Sequence, residues 1–194
     1  EATMKDFRIK ALGADTWADF ARLVEQHNGV WGGCWCMGFH AKPQGWGKSA
    51  EMNRADKQRL VLEGRAHAAL VYEGADCVGW CQFGSPDELP RIKNSHAYLR
   101  TAPSLPDWRI TCFFSGKGHR GQGVAAAALK GAIQQIATLG GGRVEGYPDE
   151  TEGRSISGAF LFNGAMAIFE KAGFTRDRQI GAHKWVVTRR VSGE

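Results

Sequence analysis

The sequence predicts a single α/β domain, a sheet flanked by helices. At 194 residues the chain is long enough to bury one core without disulfide or metal staples. Short β-like runs alternate with helical patterns, and hairpin signals occur early and at the end. The run Phe113-Phe114-Ser115-Gly116-Lys117-Gly118-His119-Arg120-Gly121-Gln122-Gly123-Val124-Ala125 joins an apolar strand to an alanine-rich helix through a glycine-dense turn. No internal repeat or low-complexity linker divides the chain. The domain is therefore expected to span residues 4–194, with Glu1-Ala2-Thr3 a remnant ahead of Met4.

The elements follow in order. Residues 5–12 form a first strand. Trp17, Phe20, Ala21 and Val24 recur at i, i+3, i+4 and i+7, the stripe of an amphipathic helix. Residues 30–48 are rich in Gly, Trp and Cys without a period and read as an apolar loop. Ser49 is a good N-cap, Glu51 suits a first helical turn and Gly64 suits a C-terminal cap. Residues 67–72 and 77–83 are strands of a hairpin about Glu73-Gly74-Ala75-Asp76. Residues 84–95 hold turns and a short helix. The strand at 108–115 alternates to place Ile110, Cys112 and Phe114 on one face.

Beyond the glycine turn, Ala125, Ala128, Leu129, Ala132, Ile133 and Ile136 mark one face of a helix that Gly140-Gly141-Gly142 stops. Residues 143–147 form a strand ending at Pro148, and 149–157 a polar surface loop. A helix is expected over 160–172 with Gly173 after it, then a terminal hairpin of 174–180 and 184–189 around Gly181.

Composition narrows the class. Hydrophobic residues make up 43% and charged residues 23%, as in an ordinary globule. No apolar run approaches the ~20 residues of a membrane span, and no export signal is evident, so no membrane partner and a cytoplasmic location are expected. Cys34, Cys36, Cys77, Cys81 and Cys112 are odd in number and read as reduced thiols. Cys34-Trp35-Cys36 lacks zinc-site spacing, and Cys77 and Cys81 lie within one strand, so no metal is expected. The net charge is +5, but the basic residues are scattered and form no run of four. A basic rim around a polyanionic small molecule accounts for them, and no nucleic-acid partner is expected.

A glycine-dense turn at a helix N-terminus presents unpaired N–H groups to a phosphate. Two motifs overlap in this one. Gly116-Lys117-Gly118-His119-Arg120-Gly121 matches GxGxxG, and Glu145 lies 24 residues past Gly121, as in a dinucleotide fingerprint. The layout opposes an NAD(P)-dependent oxidoreductase. Only 49 residues follow Glu145, with one helix and a hairpin, and a hairpin precedes the turn where a βαβ unit is needed.

The second motif is Arg120-x-x-Gly123-x-Ala125, which resembles the (Q/R)-x-x-G-x-(G/A) signature of the GNAT superfamily of acyl-CoA-dependent N-acetyltransferases. Val78-Gly79-Trp80-Cys81-Gln82 resembles that family's third strand, and Phe169-Glu170-Lys171-Ala172-Gly173-Phe174 its late YEK-x-GF box. The resemblance covers nearly the whole chain. It implies a mixed, mostly antiparallel central sheet with acetyl-CoA as acyl donor. The pyrophosphate is then expected on Arg120, Gly121, Gln122, Gly123, Val124 and Ala125. The pantetheine arm is expected along the backbone of Phe113, Phe114 and Ser115, with the side chains of Phe113 and Phe114 in the core. It implies direct attack by an amine, on a small molecule or peptide, within a ternary complex; a homodimer is compatible.

The chain departs from the family in two places. Phe169 stands where the family often has an acidic tyrosine, and Phe162 where it often has an asparagine; Asn163, offset by one, is retained as a cofactor contact. Glu145 and Tyr147, on one face of their strand, are candidates for the base and the acid. Trp31, Cys34, Trp35 and Cys36, with Met37 and Phe39, are expected to wall the acceptor site. The missing tyrosine leaves a non-catalytic acyl-CoA-binding module as the alternative.

Overall fold

The computed structural model describes residues 5–30, 33–41, 49–101, 104–153 and 162–194. Its elements are β1 (Arg8–Ala11), α1 (Trp17–Gln26), α2 (Ala50–Leu62), β2 (His67–Glu73), β3 (Asp76–Gly84), α3 (Ser95–Thr101), β4 (Trp108–Ser115), α4 (Val124–Thr138), β5 (Gly142–Gly146), α5 (Met166–Lys171), β6 (Thr175–Gln179) and β7 (Trp185–Val191). The strands form one sheet in the order β1-β2-β3-β4-β5-β7-β6. All neighbours are antiparallel except β4 and β5. A doubly wound dinucleotide domain is built on parallel neighbours, so this topology removes the oxidoreductase frame. No helix among the described residues is long and apolar enough to cross a membrane.

Helix α4 covers one face of the sheet with Ala128, Leu129, Ala132, Ile133 and Ile136 buried against Val71, Cys81 and Phe83. It lies close because its contact residues are small. A Cβ on Gly131 would sit 2.5 Å from Ile9 Cγ2, and one on Gly79 of β3 would sit 2.4 Å from Val124 Cγ1. The other face carries α1 and the loop after it, with Trp17, Phe20 and Trp35 over Trp80 and Phe114. α2 joins that layer, capped as expected by Ser49, whose Oγ accepts from Met52 N–H.

Three expectations change. The β3–β4 register skips Thr111: Gln82 pairs with Cys112 and Phe83 with Ile110. This bulge turns Ile110 to the α4 face while Cys112 and Phe114 stay on the α1 face, so the three do not share a face. The short helix after β3 begins only at Ser95. The helix expected at 160–172 is confined to Met166–Lys171; residues 160–161 lie outside the described ones. Residues 162–163 form a turn and Ala165 is extended instead, because Gly164 holds φ +88° and Asp149 N–H donates to its carbonyl at 3.2 Å.

Phe169 is fully buried against Phe113 and Phe174, and its ring lies flat on Gly146 at the end of β5. A Cβ at residue 146 would fall 2.2 Å from Phe169 Cε1. Gly146→Ala is expected to lower stability by about 1–3 kcal/mol through overpacking, read as a lower denaturation midpoint; an unchanged midpoint would contradict this packing.

Candidate active site

The glycine turn occupies residues 116–123 between β4 and α4. Gly118, Gly121 and Gly123 have φ of +85°, +73° and +87°, and nothing lies within 4 Å of a Cβ built on any of them. Their role in the fold is therefore the left-handed backbone, and the space above them is open. Gly123 is the N-cap of α4 and offers no side chain to its N–H groups, and the first turn carries no acid. Among the described residues no side chain caps the positive end of this 15-residue helix. The N–H groups of Val124 and Ala125 point out of it, as an anion requires.

Side chains around the turn hold its shape. Gln122 Nε2 donates to Gly118 O at 2.8 Å, and its Oε1 accepts from Lys5. With its side chain engaged in this way, Gln122 has its backbone left to face a phosphate, the part of it for which that role is expected. Arg120 is exposed and no described residue pairs with its guanidinium. His119 pairs with Glu73 at 3.2 Å. His27, at the end of α1, was not singled out from sequence. Its Nδ1–H donates to Leu23 O at 2.8 Å, which fixes Nε2 as acceptor for Lys117 N–H at 2.9 Å.

Next to the turn lies the split in the sheet. β4 and β5 pair only through Trp108↔Val144, Arg109↔Glu145 and Ile110↔Gly146. Beyond them the chain fills part of the gap. Phe113 N–H donates to Phe162 O at 2.7 Å, and Asn163 Nδ2 donates to Thr111 O at 2.6 Å. Lys184 Nζ reaches Asn163 Oδ1, Tyr147 O and Asp149 Oδ2 at 3.0–3.2 Å. Burial holds the Lys184 ammonium below its ordinary pKa, against the pull of Asp149.

Asn163 is therefore engaged on both sides of its amide and closes the gap rather than facing a ligand, a correction to its expected role. Phe114 is corrected too, since its peptide faces β3, opposite Trp80. By strand alternation Ser115 N–H points the same way as that of Phe113, toward the gap.

On the α1 face a pocket of about 610 Å³ opens beside this split. Cys34, Cys36, Phe39, Cys112, Phe162 and Leu99 are among its walls. Cys34 and Cys36 line it as expected. Trp35 does not: it stacks on Trp17 at 5.9 Å in the core. Trp31 lies outside the described residues. Cys36 Sγ and Cys112 Sγ are 3.1 Å apart. Burial pushes the Cys36 thiol well up, and the hydrogen bond to Cys36, then burial, does the same to Cys34. Both stay protonated and are poor nucleophiles. No cluster among the described residues is arranged to hold a metal ion.

The sequence matches no family profile and no curated protein. Its architecture does have solved counterparts. A Desulfovibrio desulfuricans protein assigned to the GNAT acetyltransferase family aligns over 96% of this chain and 100% of its own, at 13% identity and a TM-score of 0.54. The chain has the GNAT fold. A Staphylococcus aureus N-acetyltransferase (96% and 98% covered, 13% identity, TM-score 0.52) and a mosquito arylalkylamine N-acetyltransferase-like protein (95% and 100%, 8%, 0.54) share it.

Within this GNAT fold, the two residues expected to do acid–base work are sealed in. Glu145 is 0% exposed. Its Oε2 accepts from Tyr98 at 2.7 Å and Tyr147 at 3.0 Å, and its Oε1 from Arg143 at 3.0 Å. Tyr98 comes from α3, so this cluster pins that helix to β5. Burial drives the Tyr147 hydroxyl well above its ordinary pKa. The pair thus acts as a structural hub, and neither group reaches a reacting amine.

A second buried group escaped the sequence reading. Lys57 of α2 is 1% exposed, with Nζ 2.6 Å from Gln82 Oε1 and 3.2 Å from His40 Nε2. Burial lowers the Lys57 pKa, and burial followed by the Lys57 charge pushes His40 down to about 2. Gln82 Nε2 passes the chain on to Thr111 Oγ1 at 3.1 Å, at the bulge. No periodicity marks Lys57 as inward-facing.

Glu145→Ala leaves two buried hydroxyls and Arg143 without their acceptor. It is expected to cost about 3–5 kcal/mol in chemical denaturation, with Glu145→Gln milder. Normal stability with abolished turnover would instead identify Glu145 as a reacting group.

Proposed function

We propose that the chain is an N-acetyltransferase that accepts an acetyl group from acetyl-CoA and passes it to an amine by direct attack in a ternary complex. One juxtaposition carries the reading. The uncapped N-terminus of α4, the gap-facing edge of β4 and an apolar pocket meet where β4 leaves β5. The GNAT fold supports it, and the open left-handed glycines at the helix end suit a pyrophosphate.

The backbone N–H groups of Gly121 through Ala125 would hold the pyrophosphate, with Arg120 adding charge from solvent. Phe113 N–H is already taken by Phe162, so the pantetheine amides would pair one step nearer the turn, at Phe113 C=O and Ser115 N–H. When bound, acetyl-CoA supplies an acyl carbon activated by its thiol leaving group. The acceptor nitrogen forms the C–N bond as the C–S bond breaks, and the proton that nitrogen sheds passes to the departing thiolate or to water. A thiol of ordinary pKa about 8.5 leaves as thiolate without a dedicated acid, so Phe169 in place of tyrosine does not stop the reaction. The buried, well-packed Phe169 also gives no sign that a hydroxyl is missing.

The alternative, an acyl-CoA-binding module without turnover, draws on the absence of any Asp, Glu or His among the described pocket walls. Acetylation of any amine in a broad screen removes it.

Two outcomes test the proposal. Saturating acetyl-CoA is expected to raise the melting temperature, by about 2.7 kcal/mol of stabilisation at a hundredfold excess over Kd. Gly123→Asp is expected to abolish that gain, because a carboxylate and a Cβ enter the anion site; a retained gain would refute this placement. The pH dependence supplies the second. With no Asp, Glu or His among the described pocket walls, kcat/KM is expected to rise with pH through the pKa of the acceptor's own amine, because only the neutral amine attacks. Acceptors of different amine pKa should shift the inflection. A fixed inflection near pH 6–7 for all acceptors would assign the proton to an enzyme group and defeat the reading.

A further inference from the structure

We infer that the acceptor is an amphipathic monoamine bearing one carboxylate, of the chemical class of hydrophobic α-amino acids, whose carboxylate is held by Lys93. This rests on the acetyltransferase reading and specifies its acceptor. The pocket beside the β4–β5 split is walled largely by Phe39, Ile92, Leu99, Phe162 and the thiols of Cys34 and Cys112, and its volume of about 610 Å³ suits a small apolar body. The charged side chains among its described walls are Arg91 and Lys93, both positive.

The remaining internal stretches cannot reverse that balance. Residues 31–32, 42–48, 102–103 and 154–161 contain no Asp or Glu, and they carry Lys42, Lys48 and Arg154.

Lys93 sits beside the gap. Lys93 Nζ lies 4.6 Å from the ring centroid of Phe162, the residue whose carbonyl caps Phe113 N–H in the gap. The charge of Lys93 also weighs on the ammonium of Lys184, which bridges the gap from the other side. An acceptor with several ammonium groups, such as a polyamine or an aminoglycoside, would meet this positive field with no carboxylate to receive it. A carboxylate next to the amine pairs with the field and leaves the nitrogen toward the gap. The apolar walls then receive the side chain.

The test uses the full chain and three kinds of probe: L-phenylalanine, L-leucine and L-methionine; phenethylamine, which is phenylalanine without its carboxylate; and spermidine. Binding is measured by calorimetry without acetyl-CoA, and turnover with it. L-phenylalanine is expected to bind about 10–100-fold more tightly than phenethylamine, the span of one charge-assisted hydrogen bond, and spermidine more weakly still. Lys93→Gln is expected to cut the phenylalanine-to-phenethylamine ratio by about tenfold, through KM rather than kcat, and Lys93→Arg to restore it. Preference for spermidine or phenethylamine, no binding of any of the three amino acids, or a ratio that Lys93→Gln leaves unchanged would overturn the inference. Failure of the acetyltransferase reading shows separately, as absence of thermal stabilisation by acetyl-CoA.

Discussion

Parallel pairing between β4 and β5 stops after three residues, and the rest of the site hangs on that limit. The bulge at Thr111 swings β4 away on one side. On the other side Pro148 ends the run from β5, since it has no N–H to continue a ladder. Peptide groups opened in this way must find partners. Phe162 and Asn163 meet two of those on β4, and Lys184 meets the carbonyl of Tyr147. The part of β4 beyond them runs straight into the glycine turn. The bulge at Thr111, one of three register shifts in the sheet, thus lines up a peptide edge, a helix end without a side-chain cap and a pocket floor.

Such a split has to be held open at a fixed width, and the Glu145 cluster lies where that control is needed. Glu145 pairs across the sheet with Arg109, one rung before the strands part. The guanidinium of Arg109 lies 5.4 Å from the ring centroid of Tyr98, whose hydroxyl binds Glu145, and its Nη1 donates to Leu89 O at 2.8 Å. One carboxylate therefore ties β5 to α3, while its cross-strand neighbour ties β4 to the segment after β3. A buried charge with this many donors is costly to remove but adds little by itself, so its benefit is geometric. On the opposite face the rings of Phe113 and Phe169 wedge against Gly146 and Gly164 at the same level.

Period and capping made α1, α2, α4 and the first hairpin legible, because those elements answer to local physics. The stripe Trp17, Phe20, Ala21, Val24 and the cap Ser49 leave little choice. The turn was legible too, since three glycines at a helix start admit few explanations. The bulge was not. Ile110, Cys112 and Phe114 alternate perfectly in sequence, and one unpaired residue between them reverses a face. The loop after α1 was half read: Cys34 and Cys36 reach the pocket, while Trp35 and Cys36 take φ of +50° and +51°, values no propensity assigns to them, and Trp35 turns into the core. Glu145 and Tyr147 do share a face, but the sequence could not say that α3 would cover it.

The chemistry that remains fits a site without a carboxylate base. Burial is the largest cause displacing the Cys36 thiol of the pocket wall upward and, behind that wall, the Lys57 ammonium and His40 imidazolium downward. An ammonium carried into the same surroundings is subject to the same penalty and gives up its proton more readily than in water. In the proposed reaction desolvation would do the preparatory work that a general base does elsewhere. It does so most cheaply for an amine already close to neutrality. In the proposed reaction the charge of Lys93 would favour a carboxylate on the acceptor, while burial would act on its ammonium whatever the rest of the molecule carries.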